Sequence, residues 1–301
     1  MSDNTAVPGA QPVGVIGLGL LGSAIARRLL AAGYAVVGHD VDAAKAVAGA
    51  SAGLQPASTH ELARRCPRVI LAVFNAQQVG EVAEMLYSNA PPGQLIVVTT
   101  CDPESSAAHA ARARTQGWQY VEAPISGTSA QVMAGEGVGL IAGEAEAIAR
   151  AADLFTAICP RWNKVSVGPQ AAGDAGRAKL AVNLVLGLNR LALAEGLVFA
   201  QRMGLQGAAF LDILRGSAAY SQVMDTKGRK MLESDFSAEG RAEQTLKDVK
   251  LMQDEARRLG QPLPLLDVHQ LILEACIARG EGALDSSVVI EQIRRLGEGK
   301  H

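Results

Sequence analysis

The 301-residue chain is longer than a typical single domain, and 49% hydrophobic against 19% charged residues fits a globular protein with two domains and a real core. With 28 basic and 30 acidic residues and no dense Lys/Arg run, nucleic acid and anionic membranes are not expected as partners, which leaves a small molecule. Cys66, Cys101, Cys159 and Cys276 form no CxxC pair, so neither a metal site nor a disulfide framework is expected, and a reducing cytoplasm is the simplest location.

Residues 1–12, MSDNTAVPGAQP, lack the basic start and apolar stretch of a secretory signal and read as a flexible leader, and no apolar run is expected to span a bilayer. From 13 to 170, short β-branched runs alternate with helical patterns, which predicts a parallel sheet with crossover helices. The predicted strands are Val13–Ile16, Ala35–Gly38, Val69–Val73, Leu95–Val98, Tyr120–Glu122, Val138–Ile141 and Lys164–Val167, with mixed pairing among the later ones. Gly33, Pro91-Pro92-Gly93 and Gly117 supply turn signals between them. After Gly168-Pro169 the pattern changes. The proline-free, Ala/Leu-rich stretch from Asp174 to Met203 predicts one helix of about 45 Å at 1.5 Å per residue. Further helices are expected at Phe210–Arg215, at Ala242–Leu259 before Gly260 and Pro262, and at Leu265–Arg279, with no strand beyond Val167. The expected fold is an α/β N-terminal domain, 13–170, joined by a long helix to an all-α C-terminal domain, 171–301.

The first strand–turn–helix carries the most chemistry. In VGVIGLGLLGSAIARRLLAAGY, three glycines stand between a short apolar strand and a helix whose Ala24, Ile25, Leu29 and Leu30 share one face. Gly17 would make the tight turn, Gly19 would let a pyrophosphate approach the backbone, and Gly22 would let helix and strand pack closely. The whole turn, Leu18, Leu20 and Leu21 included, is the expected cofactor-binding loop of a Rossmann unit, with the helix N-terminus facing the phosphates. The second strand ends at His39-Asp40, and Asp40 lies near the spacing of an acid that binds the adenosine ribose hydroxyls. A 2′-phosphate would meet that carboxylate, and no Arg follows in 39–44 to reverse the preference. NAD rather than NADP is the expected cofactor. Asp42 is the better helix-cap candidate.

Three further segments, with this loop, resemble the β-hydroxyacid dehydrogenase family, which includes 3-hydroxyisobutyrate dehydrogenase and tartronate semialdehyde reductase. EAPISGTSAQVMAGEG resembles the family's substrate motif, with Ala123, Pro124, Ser126, Gly127, Ala134 and Gly135 in place and Thr128 where the last Gly of the turn is usual. A Ser-Gly turn offers a hydroxyl and exposed N–H groups to a carboxylate. GDAGRAKLAVN resembles the catalytic motif. Its Gly173 and Gly176 are more widely spaced than usual, Lys179 stands in the lysine's place, Asn183 matches the second Asn, and Val182 stands where the first is common. Lys179 and Asn183 are one helical turn apart and share a face. A lysine on an otherwise apolar helix face is desolvated, which favours its neutral form and suits it to proton transfer. Lys247-Asp248 falls where the family has a Lys-Asp pair, so the resemblance makes Lys247 a cofactor neighbour. Val73 and Phe74 replace the family's Leu-Pro, Thr100-Cys101 replaces its Ser-Thr, and Gly240 stands where some members have a pocket Phe. Val73, Phe74 and Cys101 are therefore expected beside the nicotinamide, and a roomier pocket implies a larger substrate.

The resemblance implies a 6-phosphogluconate dehydrogenase-like architecture and reversible hydride transfer between a β-hydroxy acid and its semialdehyde or keto acid. Lys179 would be the general acid/base, and Ser126, Gly127, Thr128 and Asn183 would hold a small carboxylate-bearing substrate. It also implies a homodimer or homotetramer assembled through the C-terminal domain. The alternatives are an imine reductase-like enzyme on the same fold, whose relatives usually replace the motif lysine, and a non-catalytic NAD-binding module.

Overall fold

The computed structural model describes residues 11–297, so most of the expected leader, and His301, lie outside the described residues. The chain forms two compact units, 1–179 and 180–301.

The first unit holds β1 (Val13–Ile16), α1 (Leu20–Ala31), β2 (Val36–His39), α2 (Ala43–Ser51), β3 (Gln55–Pro56), α3 (Thr59–Arg65), β4 (Arg68–Leu71), α4 (Ala76–Asn89), β5 (Gln94–Val97), α5 (Pro103–Thr115) and β6 (Gln119–Glu122). It continues with β7 (Ile125–Ser126), α6 (Ser129–Met133), β8 (Val138–Gly143), α7 (Ala145–Ile158) and β9 (Arg161–Val167). The strands order as β3-β2-β1-β4-β5-β6-β8-β7, with β9 pairing β8. From β3 to β6 all pairs are parallel, whereas β8 runs antiparallel to β6 and β7 and parallel to β9. The order 3-2-1-4-5-6 is that of a dinucleotide-binding sheet, whose ligand site lies at the carboxyl ends of the central strands. Both faces are covered, which is why the central strands read as unbroken apolar runs. Val13, Val15, Ile70 and Ile96 enter the core that contains residues of α1 and α7, while Ile16, Val69, Leu71, Leu95 and Val97 enter the opposite one. The two-residue strands β3 and β7 escaped the sequence reading because so short a run has no periodicity to detect.

The second unit is helical. α8 (Asp174–Arg202) begins in the first unit and supplies most of its length to the second, followed by α9 (Gly207–Arg215), α10 (Val223–Glu233), α11 (Ala242–Leu259), α12 (Pro264–Ala278) and α13 (Val289–Leu296). Among the described residues, the only strand-like pairing beyond β9 is an isolated bridge between Arg241 and Asp285. Leu197, Met231, Val249, Leu273 and Ile290 are fully buried in one core. At the edge of that core the Asp285 carboxylate accepts from the Lys227 ammonium and the Glu239 N–H at 2.9 and 3.0 Å and from the Gly240 and Ser287 N–H groups at 3.1 and 3.0 Å. A buried ion pair of this kind persists because each remaining lone pair has a donor.

An 18-residue window of α8 has a mean hydropathy of 1.4, so the helix is long and apolar enough to cross a membrane by length and composition alone, a test that the core helix of a folded protein also passes. Its charged residues Lys179 and Arg190 are both buried. In the helical unit His269 is 1% exposed.

Candidate active site

The glycine loop fits a dinucleotide on its own geometry. Gly17 has φ +92°, and a Cβ there would lie 2.5 Å from the Ala72 carbonyl oxygen; a Cβ on Gly22 would lie 1.8 Å from that of Gly17. Both positions therefore require glycine, the first for the turn and the second for helix-on-strand packing. Gly19 differs: a Cβ there would meet nothing within 4 Å, so the space above this backbone is open. α1 starts from Gly19 with no side-chain cap and no acid in its first turn, which leaves its N-terminal N–H groups and partial positive charge for a phosphate. Leu20 is 37% exposed at this mouth, whereas the Leu18 side chain is buried in the core and only its backbone faces the loop.

Asp40 stands just past β2 with its side chain 7% exposed. Its carboxylate accepts from the Leu18 N–H at 2.7 Å and the Asp42 N–H at 2.9 Å, which ties the acid directly to the glycine loop. Asp42 caps α2 through the Ala44 N–H. The sequence reading stopped short of Lys45, whose ammonium lies 3.5 Å from Asp40 and 3.7 Å from Asp42. A half-exposed cation one turn into α2 is the group that a 2′-phosphate would seek. Its signal was the fixed reach from the cap at Asp42 to a lysine three residues on.

Beyond β4, Val73 is half-buried and accepts from the Thr99 hydroxyl through its carbonyl at 3.0 Å, and Phe74 is 42% exposed. Asn75 caps α4, its side chain accepting from the Gln78 N–H. Cys101 is 1% exposed and packs into the core, so its thiol has no open face in this structure.

The Ser126–Thr128 turn follows from β7. Gly127 has φ +137°, and Thr128 caps α6 in a capping box with Gln131, accepting the Gln131 N–H at 3.2 Å. Thr128 thus replaces the usual glycine with a helix-starting residue. α6 packs against α1, which sets this turn on the same side of the sheet as the dinucleotide helix. Lys179, in the second turn of α8, is 7% exposed. The glycines upstream have steric causes: a Cβ on Gly173, at φ +101°, would meet the Pro103 carbonyl oxygen at 2.7 Å, and one on Gly176 would meet the Glu122 carboxylate at 2.9 Å.

In the second unit the Asn183 amide donates to the Asp248 carboxylate at 2.9 Å, and the Lys247 ammonium lies 3.0 Å from the other oxygen of Asp248. Asp248 is 9% exposed, so the Lys-Asp pair is largely buried and fixes Asn183's orientation. Asp248 was named only as the lysine's neighbour in the sequence; its contact with Asn183 is between residues 65 apart and had no local signal. Gly240 has open space where a side chain would stand. Among the described residues no cluster could hold a metal.

The NAD binding domain of 6-phosphogluconate dehydrogenase matches residues 12–168, and the NAD-binding region of NADP-dependent 3-hydroxyisobutyrate dehydrogenase matches 173–293. The chain belongs to the β-hydroxyacid dehydrogenase family. It is 32% identical over 288 residues to L-threonate dehydrogenase of Cupriavidus necator, covering 94% of this chain and 96% of that one. It is 30% identical over 290 residues to 2-(hydroxymethyl)glutarate dehydrogenase of Eubacterium barkeri, covering 93% of each. Among solved structures, 3-hydroxyisobutyrate dehydrogenase from Salmonella typhimurium superposes with a TM-score of 0.85 at 25% identity, covering 94% of this chain and 99% of that one. This member of the β-hydroxyacid dehydrogenases is an oxidoreductase that couples NAD(P) to a hydroxy acid.

Proposed function

We propose that the enzyme oxidises a β-hydroxy acid to its semialdehyde or keto acid with NAD, reversibly, using Lys179 as general acid/base. The observation that carries the cofactor choice is the Asp40 carboxylate bound to the backbone of the glycine loop, where an adenosine ribose would offer its hydroxyls. Gly17, Gly19 and Gly22, with Leu20 and Leu21, would hold the pyrophosphate, and Val73, Phe74 and Lys247 belong to the nicotinamide surroundings in this reading, with the buried Cys101 side chain packed in the core rather than facing them. When bound, the nicotinamide supplies the hydride acceptor for the carbinol carbon. The Ser126 hydroxyl and the Gly127 N–H hold the substrate carboxylate, while Thr128, whose N–H donates to Gln131 at 2.9 Å, sets the turn beside it. Asn183, oriented by Asp248, binds the substrate hydroxyl, and Lys179 takes the hydroxyl proton as the carbonyl forms. In reduction, protonated Lys179 returns that proton to the carbonyl oxygen.

L-Threonate is the first substrate to test, because a four-carbon polyhydroxy acid suits the open space at Gly240 and the relative in Cupriavidus necator is named for it. The test is a panel of L-threonate, 3-hydroxyisobutyrate, glycerate and 2-(hydroxymethyl)glutarate with NAD and then NADP, run on the parent enzyme and Lys179→Ala. Reduction of cofactor by a panel member, lost in Lys179→Ala with NADH binding intact, supports the reading. An active Lys179→Ala enzyme sinks the role of the lysine, and binding of NADH without turnover of any hydroxy acid or semialdehyde favours a non-catalytic module. Assembly through the helical unit into a dimer or tetramer is part of the same proposal, testable by light scattering. Four buried cysteines, none in a disulfide, suit a reducing compartment, and cytoplasmic residence is proposed on that ground, to be tested by cell fractionation.

A further inference from the structure

Glu122 is a carboxylate at the end of β6, 1% exposed. A buried acid persists only where donors satisfy it. Its Oε2 accepts from the Gly173 N–H at 2.8 Å and from the Ala175 N–H at 3.2 Å. Its Oε1 stands against Gly176, so close that a Cβ there would come within 2.9 Å. Burial leaves the carboxyl's pKa raised, although the N–H groups of Gly173 and Ala175 pull against that shift. The orphan N–H groups that open a helix are thus met from 51 residues away rather than by a local cap.

Two other contacts fix the same helical turn. Gly173 lies against the Pro103 carbonyl, and Gly176 lies 3.3 Å, measured from an added Cβ, from the Cys101 carbonyl. Lys179 follows Gly176 by three residues and Ala175 by four, so it stands on the turn directly above the one that Glu122 holds. In the other direction along the chain, Glu122 runs straight into Ala123-Pro124-Ile125 and the Ser126–Thr128 turn. One side chain therefore joins the segment that carries the lysine to the segment that carries the carboxylate-binding turn, and both lie within the first compact unit.

We propose that Glu122 is a positioning residue: by clamping the first turn of α8 to the end of β6 it fixes Lys179 relative to the Ser126–Thr128 turn. The inference rests on Lys179 as the acid/base. Near-attack geometry is lost with displacements of about 1 Å, for which losses of about 100-fold are typical, so a loosened helix start acts on turnover more than on cofactor binding.

The test compares Glu122→Ala, Glu122→Gln, Gly176→Ala, the Glu122→Ala/Gly176→Ala double variant and Lys179→Ala with the parent, in the NAD-loaded enzyme and with the panel hydroxy acid of highest turnover. Glu122→Ala and Gly176→Ala should each lower kcat at least 30-fold while NADH Kd stays within threefold. The double variant should be no worse than the poorer single one, because both break the same clamp. Glu122→Gln keeps an oxygen for the Gly173 and Ala175 N–H groups and should recover kcat to within about fivefold of the parent. Hydrogen exchange of amides 173–176 should rise in Glu122→Ala, a readout independent of activity. If Glu122→Ala fails to fold, Gly176→Ala and Glu122→Gln carry the comparison. A Glu122→Ala or Gly176→Ala kcat within threefold of the parent, an equal loss in NADH binding, additive effects in the double variant, or a Gln variant as impaired as Ala overturns the inference. Lys179→Ala separates the two claims. Its retained activity removes the acid/base reading itself, whereas an inactive Lys179→Ala beside an unaffected Glu122→Ala removes only the clamp.

Discussion

Replacing Asp40 by Asn should change which dinucleotide the enzyme prefers, and the structure sets the size of the change. The carboxylate is nearly covered, is held by two backbone N–H groups, and faces the ammonium of Lys45 at 3.5 Å. A charge-assisted hydrogen bond to a ribose hydroxyl contributes about 1.5–3 kcal/mol, so its loss weakens NADH binding by about 10- to 150-fold. The amide also turns one acceptor of the Leu18 or Asp42 N–H into a donor, a cost common to both cofactors. For NADPH that cost is offset, because the negative charge that repels a 2′-phosphate is gone and Lys45 is left with only Asp42, at 3.7 Å, of its two carboxylate partners. The ratio of NADPH to NADH dissociation constants should therefore fall by about 100-fold, the part of the effect that loop rearrangement cannot mimic. Both constants are measured by energy transfer from protein tryptophan to reduced cofactor at one stated salt concentration. A ratio that moves less than threefold, with both cofactors weakened alike, would mean that Asp40 shapes the loop without reading the ribose.

Gly22→Ala forces a methyl group to 1.8 Å from a backbone oxygen, so the gain of about 1 kcal/mol in helix propensity is overwhelmed. NADH binding should be lost and the thermal midpoint lowered, and normal binding with an unchanged midpoint would contradict the packing argument. Asp285→Ala leaves the Lys227 ammonium unpaired except for Glu239 at 2.9 Å and strips three N–H groups of their acceptor, which should destabilise the enzyme by about 3–5 kcal/mol in urea unfolding. A loss under 1 kcal/mol would show that the segment rearranges. Burial, with the Arg190 charge adding to it, lowers the His269 pKa from 6.5 to about 4. Because the unfolded chain takes up this proton first, the contribution is complete above pH 6.5 and falls as pH drops toward 4, by up to about 3 kcal/mol. His269→Gln should flatten that part of the stability curve, and parallel curves for variant and parent would exclude the histidine as the source.

Local signals in the sequence specified a good deal of this protein. The strand–turn–helix at Gly17, the acid at Asp40, the cap at Asp42, the helix Ala242–Leu259 and the long helix from Asp174 were all legible, because each rests on backbone sterics, capping or periodicity within a few residues. Motifs in the same chain, Ser126-Gly127 and Lys179 with Asn183, carried the family, and its homologues bear that family out. What depended on residues brought together by folding was not legible. That Lys247-Asp248 is a covered pair holding Asn183 needed α11 packed beside α8, and that Arg190 and His269 are buried needed the helical core assembled around them. Glu122 is the sharpest case: in sequence it is a strand-end acid before Ala-Pro, and only the sheet, by bringing its end to the start of a helix 51 residues on, turns it into that helix's cap. Short-range sterics write the glycines and caps into the chain directly, whereas satisfaction of a buried charge depends on which distant donors the fold delivers.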